Sequence, residues 1–278
     1  MFALQFLDLL SLPSVRRSAV ALGFAGVSMP VVGVLIIGLD VITVRFAVMH
    51  MALFGTAVGL WAGIDPTVMA LVSCLITALV LAPAADRPGG LAGPMSFVMT
   101  ISAAAALLVL SISGVNANGA FEILWGSILA VRQQDLVLIA TMAVAVLAFV
   151  WSTHTKVALL LFDRELATCS RVPVAALTTV LLVLVSVSIG SSIRVTGALL
   201  VDSITLLPAL SARNLATSLR SMIVWAIAVG LVGNAIGFVV ALQLDLPPGP
   251  VLVLVAGAIT LITYVVPSDR THRSLATH

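Results

Sequence analysis

The sequence predicts an all-α protein, a polytopic transmembrane bundle of eight or nine spans with one short cytoplasmic helix. Of its 278 residues, 61% are hydrophobic and 9% charged, and the mean hydropathy is +1.25. Soluble domains carry about 25% charged residues, so a water-soluble fold is excluded. The apolar residues form continuous blocks of about 20, the length of helix that crosses a bilayer. These blocks lack the alternation of a β-barrel, so helices must satisfy the backbone hydrogen bonds.

Apolar runs between polar breaks or breaks containing Pro and Gly define the candidate spans. They cover residues 18–38, 44–63, 67–84, 95–113, 136–152, 174–193, 196–211, 221–243 and 250–267. The segment 196–211 differs from the others because Asp202 and Pro208 interrupt it. We expect a broken or partly re-entrant helix there, which is tolerated where it lines a cavity or packs in protein. Residues 1–278 are treated as a single transmembrane domain.

The thirteen Lys and Arg residues favour a cytoplasmic C-terminus. With nine alternating spans, the cytoplasmic side holds nine of them: Arg45, Arg87, Lys156, Arg164, Arg171, Arg213, Arg220, Arg270 and Arg273. The other side holds Arg16, Arg17, Arg132 and Arg194. Basic residues concentrate in cytoplasmic loops, which supports this orientation. Arg16 and Arg17 also fit an N-terminus on the cytoplasmic side with one span fewer, so that alternative stays open.

The motifs of several enzyme classes are absent from the sequence. No Gly-rich loop precedes the lone Lys156, so the chain has no means of holding ATP phosphates. There is no HExxH motif and no close pair of carboxylates within a span. Cys74 and Cys169 form no CxxC. We therefore expect no catalytic residues, no cofactor bound by this chain and no nucleic-acid partner.

Four segments carry a family resemblance when they are taken together in order. The strongest is GALLVDSITLLPALSAR at residues 197–213. The others are residues 163–172, residues 124–131 followed by Asp135, and His50 with Gly55. Over roughly residues 40–267 the chain resembles the permease subunits of the zinc, manganese and iron uptake class of ABC transporters.

The resemblance implies a transport function and a set of partners. It implies a homodimer of this chain, two cytoplasmic ATPase subunits that bind the ATP, and an extracytoplasmic protein that delivers the ion. It also implies a bacterial inner-membrane location within the lipid bilayer. The expected substrate is a divalent metal ion, with zinc first, manganese second and iron third, because neutral imidazole suits these metals.

The resemblance further implies that a cytoplasmic coupling segment, at about residues 161–172, contacts the ATPase. Its mixed charges fit a short amphipathic helix that docks in a cleft of the partner. The candidate coupling residues are Asp163, Arg164, Glu165, Ala167 and Arg171. On the residues alone, an ordinary solvated loop is the alternative interpretation.

His50 and Asp202 are the candidate metal ligands. An ionisable residue within a span is a functional hypothesis by default, and His50 is the only histidine inside an apolar run. Family members carry an Asp four residues before this His, where the present chain has Phe46. Asp202 occupies a position that is small or weakly polar in the family. We hypothesise that His50 and Asp202, on different helices, form a transient metal site.

The alternative to this metal site is structural. In that interpretation His50 bonds a backbone carbonyl and Asp202 bonds a nearby hydroxyl, such as that of Ser203 or Thr205, because buried polar groups usually have a local partner.

Other departures from the family pattern leave further functions open. The family often has Gly-Asp where this chain has Gly126-Ser127, and a basic pair where it has Leu39-Asp40. Glu122 and Arg132 flank residues 116–135, which we expect to form a short helix at the outer surface. A stand-alone ion-coupled secondary transporter is the main alternative function, although it would need ionisable residues in several spans. A structural or assembly protein is the third possibility.

Overall fold

The computed structural model describes residues 12–86, 90–114, 128 and 131–265, without the side chains of residues 86, 194, 195, 198 and 199. Helices make up the architecture of this part of the chain, so the predicted all-α class is confirmed. The helices are α1 (Pro13–Gly38), α2 (Ile42–Ala62), α3 (Pro66–Leu81), α4 (Ala92–Ile112), α5 (Gln133–Phe162), α6 (Arg164–Cys169), α7 (Val174–Thr196), α8 (Ala198–Leu215), α9 (Leu219–Gln243) and α10 (Pro248–Val265). A short 3₁₀ helix at Ala82–Asp86 extends α3.

Eight of the described helices are long and apolar enough to cross a membrane, which confirms the predicted polytopic bundle. They are α1 to α5, α7, α9 and α10. The helix α8 is not among them. It carries Asp202 and Pro208, the two residues that set the segment 196–211 apart in the sequence.

The helix α5 continues ten residues beyond the predicted span 136–152, to Phe162. The first residues after that span are polar, and the sequence predicts a polar island from Ser152 to Pro173. In the structure the hydroxyls of Ser152 and Thr153 donate to the carbonyl of Phe149, within the helix itself. Such back-bonding satisfies polar side chains without ending a helix. The predicted polar island after residue 152 is therefore mostly helical.

The helices pack as two groups on either side of α7. In one group α2 packs against α3 and α4, and in the other α1, α8, α9 and α10 pack against one another. The central α7 contacts α1, α2, α3, α5 and α8. Its buried side chains include the small Ser186, Ser188, Ser191 and Ser192. Small residues let helices approach closely in membranes, which allows α7 to occupy the middle of the bundle.

Turns between helices follow from local sequence signals. Gly63 has φ +69°, in the left-handed region, and ends α2. Asp65 then caps α3 by accepting the N–H of Thr67 at 2.7 Å, and Pro66 occupies the start of the helix. Gly197, with φ +79°, separates α7 from α8 without any intervening loop. A residue with a side chain would adopt this backbone conformation at a cost.

Close contact between α1 and α8 depends on a glycine. A Cβ atom at Gly33 would overlap the carbonyl oxygen of Thr205 and would lie 3.0 Å from the Cβ of Ala209. The helices α1 and α9 also approach closely, and the side-chain amide of Asn234 donates to the carbonyl of Leu22 at 3.2 Å. These contacts fix α8 against α1 and thereby position Asp202.

We predict that Gly33→Ala separates α1 from α8 and lowers the free energy of unfolding by about 2 kcal/mol, a typical cost of overpacking. Thermal unfolding in detergent, followed by tryptophan fluorescence, measures the effect. Gly23→Ala in the same helix is the matched control, because no atom lies within 4 Å of its added Cβ. Equal melting temperatures for Gly33→Ala and Gly23→Ala would contradict the prediction.

Candidate functional site

Asp202 forms an ion pair with Arg45. The Nη1 atom of Arg45, in the first turn of α2, lies 3.0 Å from Oδ1 of Asp202 in α8. The two side chains are only 14% and 25% exposed, respectively. Each charge is therefore largely removed from water, and each depends on the other for compensation. The sequence places Arg45 at the cytoplasmic end of the predicted span 44–63.

The hydroxyls near Asp202 bond to the backbone of their own helix. Ser203 donates to the carbonyl of Leu200 at 3.0 Å, and Thr205 donates to the carbonyl of Val201 at 2.5 Å. The structural interpretation of Asp202, as a partner of these hydroxyls, is therefore not the arrangement in this structure. The described partner of the carboxylate is a cation on another helix.

Arg45 also contacts the aromatic ring of Phe46. Its guanidinium carbon lies 4.3 Å from the ring centroid, within the range of a cation–π interaction. Its Nε atom is buried without a hydrogen-bond acceptor. The guanidinium thus divides its interactions between a carboxylate and a ring, and one of its donors is unused.

His50 is partly buried in α2, and its Nδ1 lies 2.7 Å from the carbonyl oxygen of Phe46. A carbonyl oxygen only accepts, so Nδ1 carries the hydrogen and the neutral ring keeps its lone pair on Nε2. Metal-binding histidines commonly have this arrangement, in which a backbone carbonyl fixes the tautomer. The bond to a backbone carbonyl, expected in the structural interpretation, is present and leaves Nε2 available as a ligand.

A dense metal centre does not form in the described part of the chain. Among those residues, no group of three or more His, Cys, Asp and Glu side chains comes together in a way that could hold a metal ion. The predicted His50–Asp202 site stays a prediction.

The predicted coupling segment contains the short, exposed helix α6, which Asp163 caps. The Oδ1 atom of Asp163 accepts the N–H groups of Glu165 and Leu166, at 2.8 and 3.0 Å. Asp163 is the residue between α5 and α6, with an extended backbone at φ −156°. Its side chain therefore starts α6 directly after α5 ends, and the direction of the chain changes there.

The rest of α6 is anchored by one side and exposed on the other. Ala167 is fully buried, whereas Arg164 and Glu165 are exposed. The helix ends where Arg171 adopts φ +58° and the N–H of Val172 donates to the carbonyl of Ala167 at 3.0 Å. The result is a short helix with a charged surface, fixed to the end of α5.

Some predicted features fall on residues outside the described ranges. They include Glu122, the Gly126-Ser127 pair and most of the segment 124–131, of which Ile128 and Val131 are described. Ile128 contributes a carbonyl that accepts the hydroxyl of Ser18 at 2.6 Å. Arg132 caps α5 together with Asp135, whose carboxylate accepts the N–H of Arg132 at 3.1 Å.

Comparisons with known proteins identify relatives of this chain. The sequence model of the ABC 3 transport family matches residues 11–267. The chain is 24% identical to the manganese transport system membrane protein MntC of Halalkalibacterium halodurans, over 93% of this chain and 89% of the relative. It is 25% identical to the high-affinity zinc uptake system membrane protein ZnuB of Haemophilus influenzae, over 74% and 79%.

The fold is similar to that of a solved structure. The structure of PsaBC from Streptococcus pneumoniae in complex with Fab contains a chain that superposes with a TM-score of 0.85, at 22% sequence identity and over 100% of both chains. The chain therefore has the same fold as that PsaBC chain.

The ion pair predicts a specific pattern of stability. Arg45→Met leaves the Asp202 carboxylate without its cation, and Asp202→Leu leaves the guanidinium without its anion. Either change should lower the free energy of unfolding by about 2–4 kcal/mol, whereas the double variant should lose less than the sum of both. Chemical or thermal unfolding in detergent measures these values. Arg16→Met, at an exposed position of α1, is the control. Additive losses in the double variant would show that the pair does not couple.

Proposed function

We propose the function of this chain from one premise: it belongs to the ABC 3 transport family and is the permease of an ABC metal uptake system. It is a multi-pass protein of the inner, or plasma, membrane. The proposal is that it imports a divalent metal ion by alternating access. The match of residues 11–267 to the family is the observation that carries this proposal.

In this proposal a separate cytoplasmic ATPase drives the permease through α6. Two features of α6 support this role. Arg164 and Glu165 are exposed and can contact the ATPase, whereas the buried Ala167 holds the helix against the rest of the permease. Two copies of the chain rock about their interface when the ATPase subunits close. An extracytoplasmic metal-binding protein delivers the ion to the outer side.

An open apolar groove beside the end of α5 supports movement of this unit. The groove has a volume of about 580 Å³ and lies between α1, α5 and α9. Its lining includes Gly38, Leu159, Phe162, Leu219 and Met222. Because α6 follows α5 directly, a push on α6 acts on a helix end that has free space next to it.

The proposed ligands of the transported ion are His50 and Asp202. The free Nε2 of His50 supports its role, since the bond to Phe46 already fixes the ring. Asp202 supplies a carboxylate from the other helix group, and it can bind a metal ion only after leaving Arg45. Zinc is the first choice as substrate, manganese the second and iron the third. A zinc uptake protein and a manganese transport protein are both among the relatives.

A stand-alone secondary transporter remains the alternative. That class needs several ionisable groups within its spans. Arg45, His50 and Asp202 are partly buried in the described helices, and two of these already form an ion pair. The family relationship favours the ATP-driven mechanism.

We predict that His50→Ala abolishes metal uptake while the protein still folds and assembles. The test is growth and cellular metal content in medium depleted of zinc or of manganese, in cells that lack their own importer. Thr56→Val is the matched control, because Thr56 of the same helix also bonds a carbonyl four residues earlier. Normal uptake by His50→Ala would refute its role, and the metal that restores growth identifies the substrate.

We also predict that Asp163→Ala uncouples the permease from its ATPase. The change removes the N-cap of α6, which typically costs about 1 kcal/mol and loosens a helix of only six residues. Metal-stimulated ATP hydrolysis by the purified complex should fall several-fold, whereas metal affinity should not change. Ser218→Ala removes the cap of the much longer α9 and is the control. Equal losses in both variants would argue against a specific coupling role of α6.

A further inference from the structure

We propose that Arg45 is a tethered counter-ion, which occupies the Asp202 carboxylate between transport cycles and is displaced from it by the divalent metal ion. This inference rests on the proposed function and assigns to Arg45 a role in metal affinity and release. It is independent of which divalent metal is carried.

The first support is the geometry of the ion pair. The contact joins Nη1 to Oδ1 at 3.0 Å, while Nε of Arg45 finds no acceptor. A guanidinium that uses its whole fork on a carboxylate binds more strongly than one with an unused donor. The pair neutralises Asp202. A doubly charged metal ion can nevertheless displace a guanidinium that is held by this one contact.

The second support is the position of the pair between the two helix groups. The helix α2 packs with α3 and α4, whereas α8 packs with α1, α9 and α10. Over the described residues α2 and α8 themselves scarcely pack against each other, although both contact α7. Arg45 and Asp202 therefore form a polar link between two helix groups that otherwise meet through a shared buried apolar cluster, which includes Val48 and Val201.

The third support is the ring of Phe46. When a metal ion takes the carboxylate, the guanidinium must keep some compensation, because an isolated charge in an apolar environment is very costly. The Phe46 ring already lies 4.3 Å from the guanidinium carbon. A cation–π contact of this kind remains available after the carboxylate is lost. Arg45 thus keeps its contact with the Phe46 ring when it leaves Asp202, and it needs no new partner.

Competition between Arg45 and the metal ion has a consequence for release. Metal bound to Asp202 can leave without exposing a bare carboxylate, because Arg45 returns to it. The ion is held less tightly than it would be by the same ligands alone. A permease must release its ion in every cycle, so a competing internal cation favours turnover over affinity.

The test is the affinity of the purified wild-type and variant complexes, in nanodiscs, for zinc and for manganese, measured by calorimetry in metal-buffered solution. Arg45→Gln should bind the transported metal about tenfold more tightly, because one competing charge close to the carboxylate is removed. Arg45→Lys should restore an affinity near that of the wild type. Asp202→Asn should weaken binding, and adding Arg45→Gln to it should have no further effect. Arg16→Gln is the control for a general loss of charge.

An affinity of Arg45→Gln equal to or weaker than that of the wild type, in a complex that still transports metal, would overturn the counter-ion role alone. Absence of metal binding and uptake by the wild type would instead overturn the proposed function, and this inference with it. If Arg45→Gln does not fold, solid-state NMR of the wild type decides. The spectrum should contain a correlation between an Arg side-chain nitrogen and an Asp carboxylate carbon, and the loss of this correlation in Asp202→Asn assigns it to the pair. The correlation should disappear when zinc is added to the wild type. Persistence of that correlation in the zinc-loaded protein would refute displacement.

Discussion

A charge inside an apolar helix bundle needs a partner, and this requirement shapes the interior of this permease. Arg45 and Asp202 compensate each other at 3.0 Å, from helices that belong to different packing groups. The carboxylate of this pair is that of Asp202 in α8, which we propose as a ligand of the transported ion. In that proposal, binding of the metal ion includes a change in the partner of Asp202. Close packing of α8 on α1, which depends on Gly33, keeps that carboxylate in place.

In the proposed mechanism, coupling to the ATPase depends on the direct connection between the long helix α5 and the short helix α6. The helix α5 extends to Phe162, and Asp163 starts α6 at once. Movement of α6 is thus transmitted to α5 without a flexible connection. Arg220 at the start of α9 donates to Nε2 of His154 in α5, at 3.0 Å from its Nε atom, beside the groove between these helices. This polar contact lies beside an apolar cluster between α1, α8 and α9, which includes Val34, Ala212 and Ala226.

Most of the architecture could be predicted from the sequence, and the limits have physical causes. Apolar length predicted the spans, because that signal is local to each helix. The extension of α5 was missed because the polar side chains after residue 152 resemble a loop until their bonds to helix carbonyls are known. The partner of Asp202 was missed for another reason. Periodicity does not tell which helices become neighbours, and Arg45 near a helix start is indistinguishable from a loop charge.

The energy source of transport is tested most directly by metal uptake into proteoliposomes. Vesicles should contain this chain either alone or together with its ATPase, with radioactive zinc or manganese and the metal-binding protein on the outer side. ATP-dependent uptake by the complex that persists after proton and sodium gradients are collapsed, with none by the chain alone, is the expected result. Uptake by the chain alone, driven by either gradient, would contradict an ATP-driven permease.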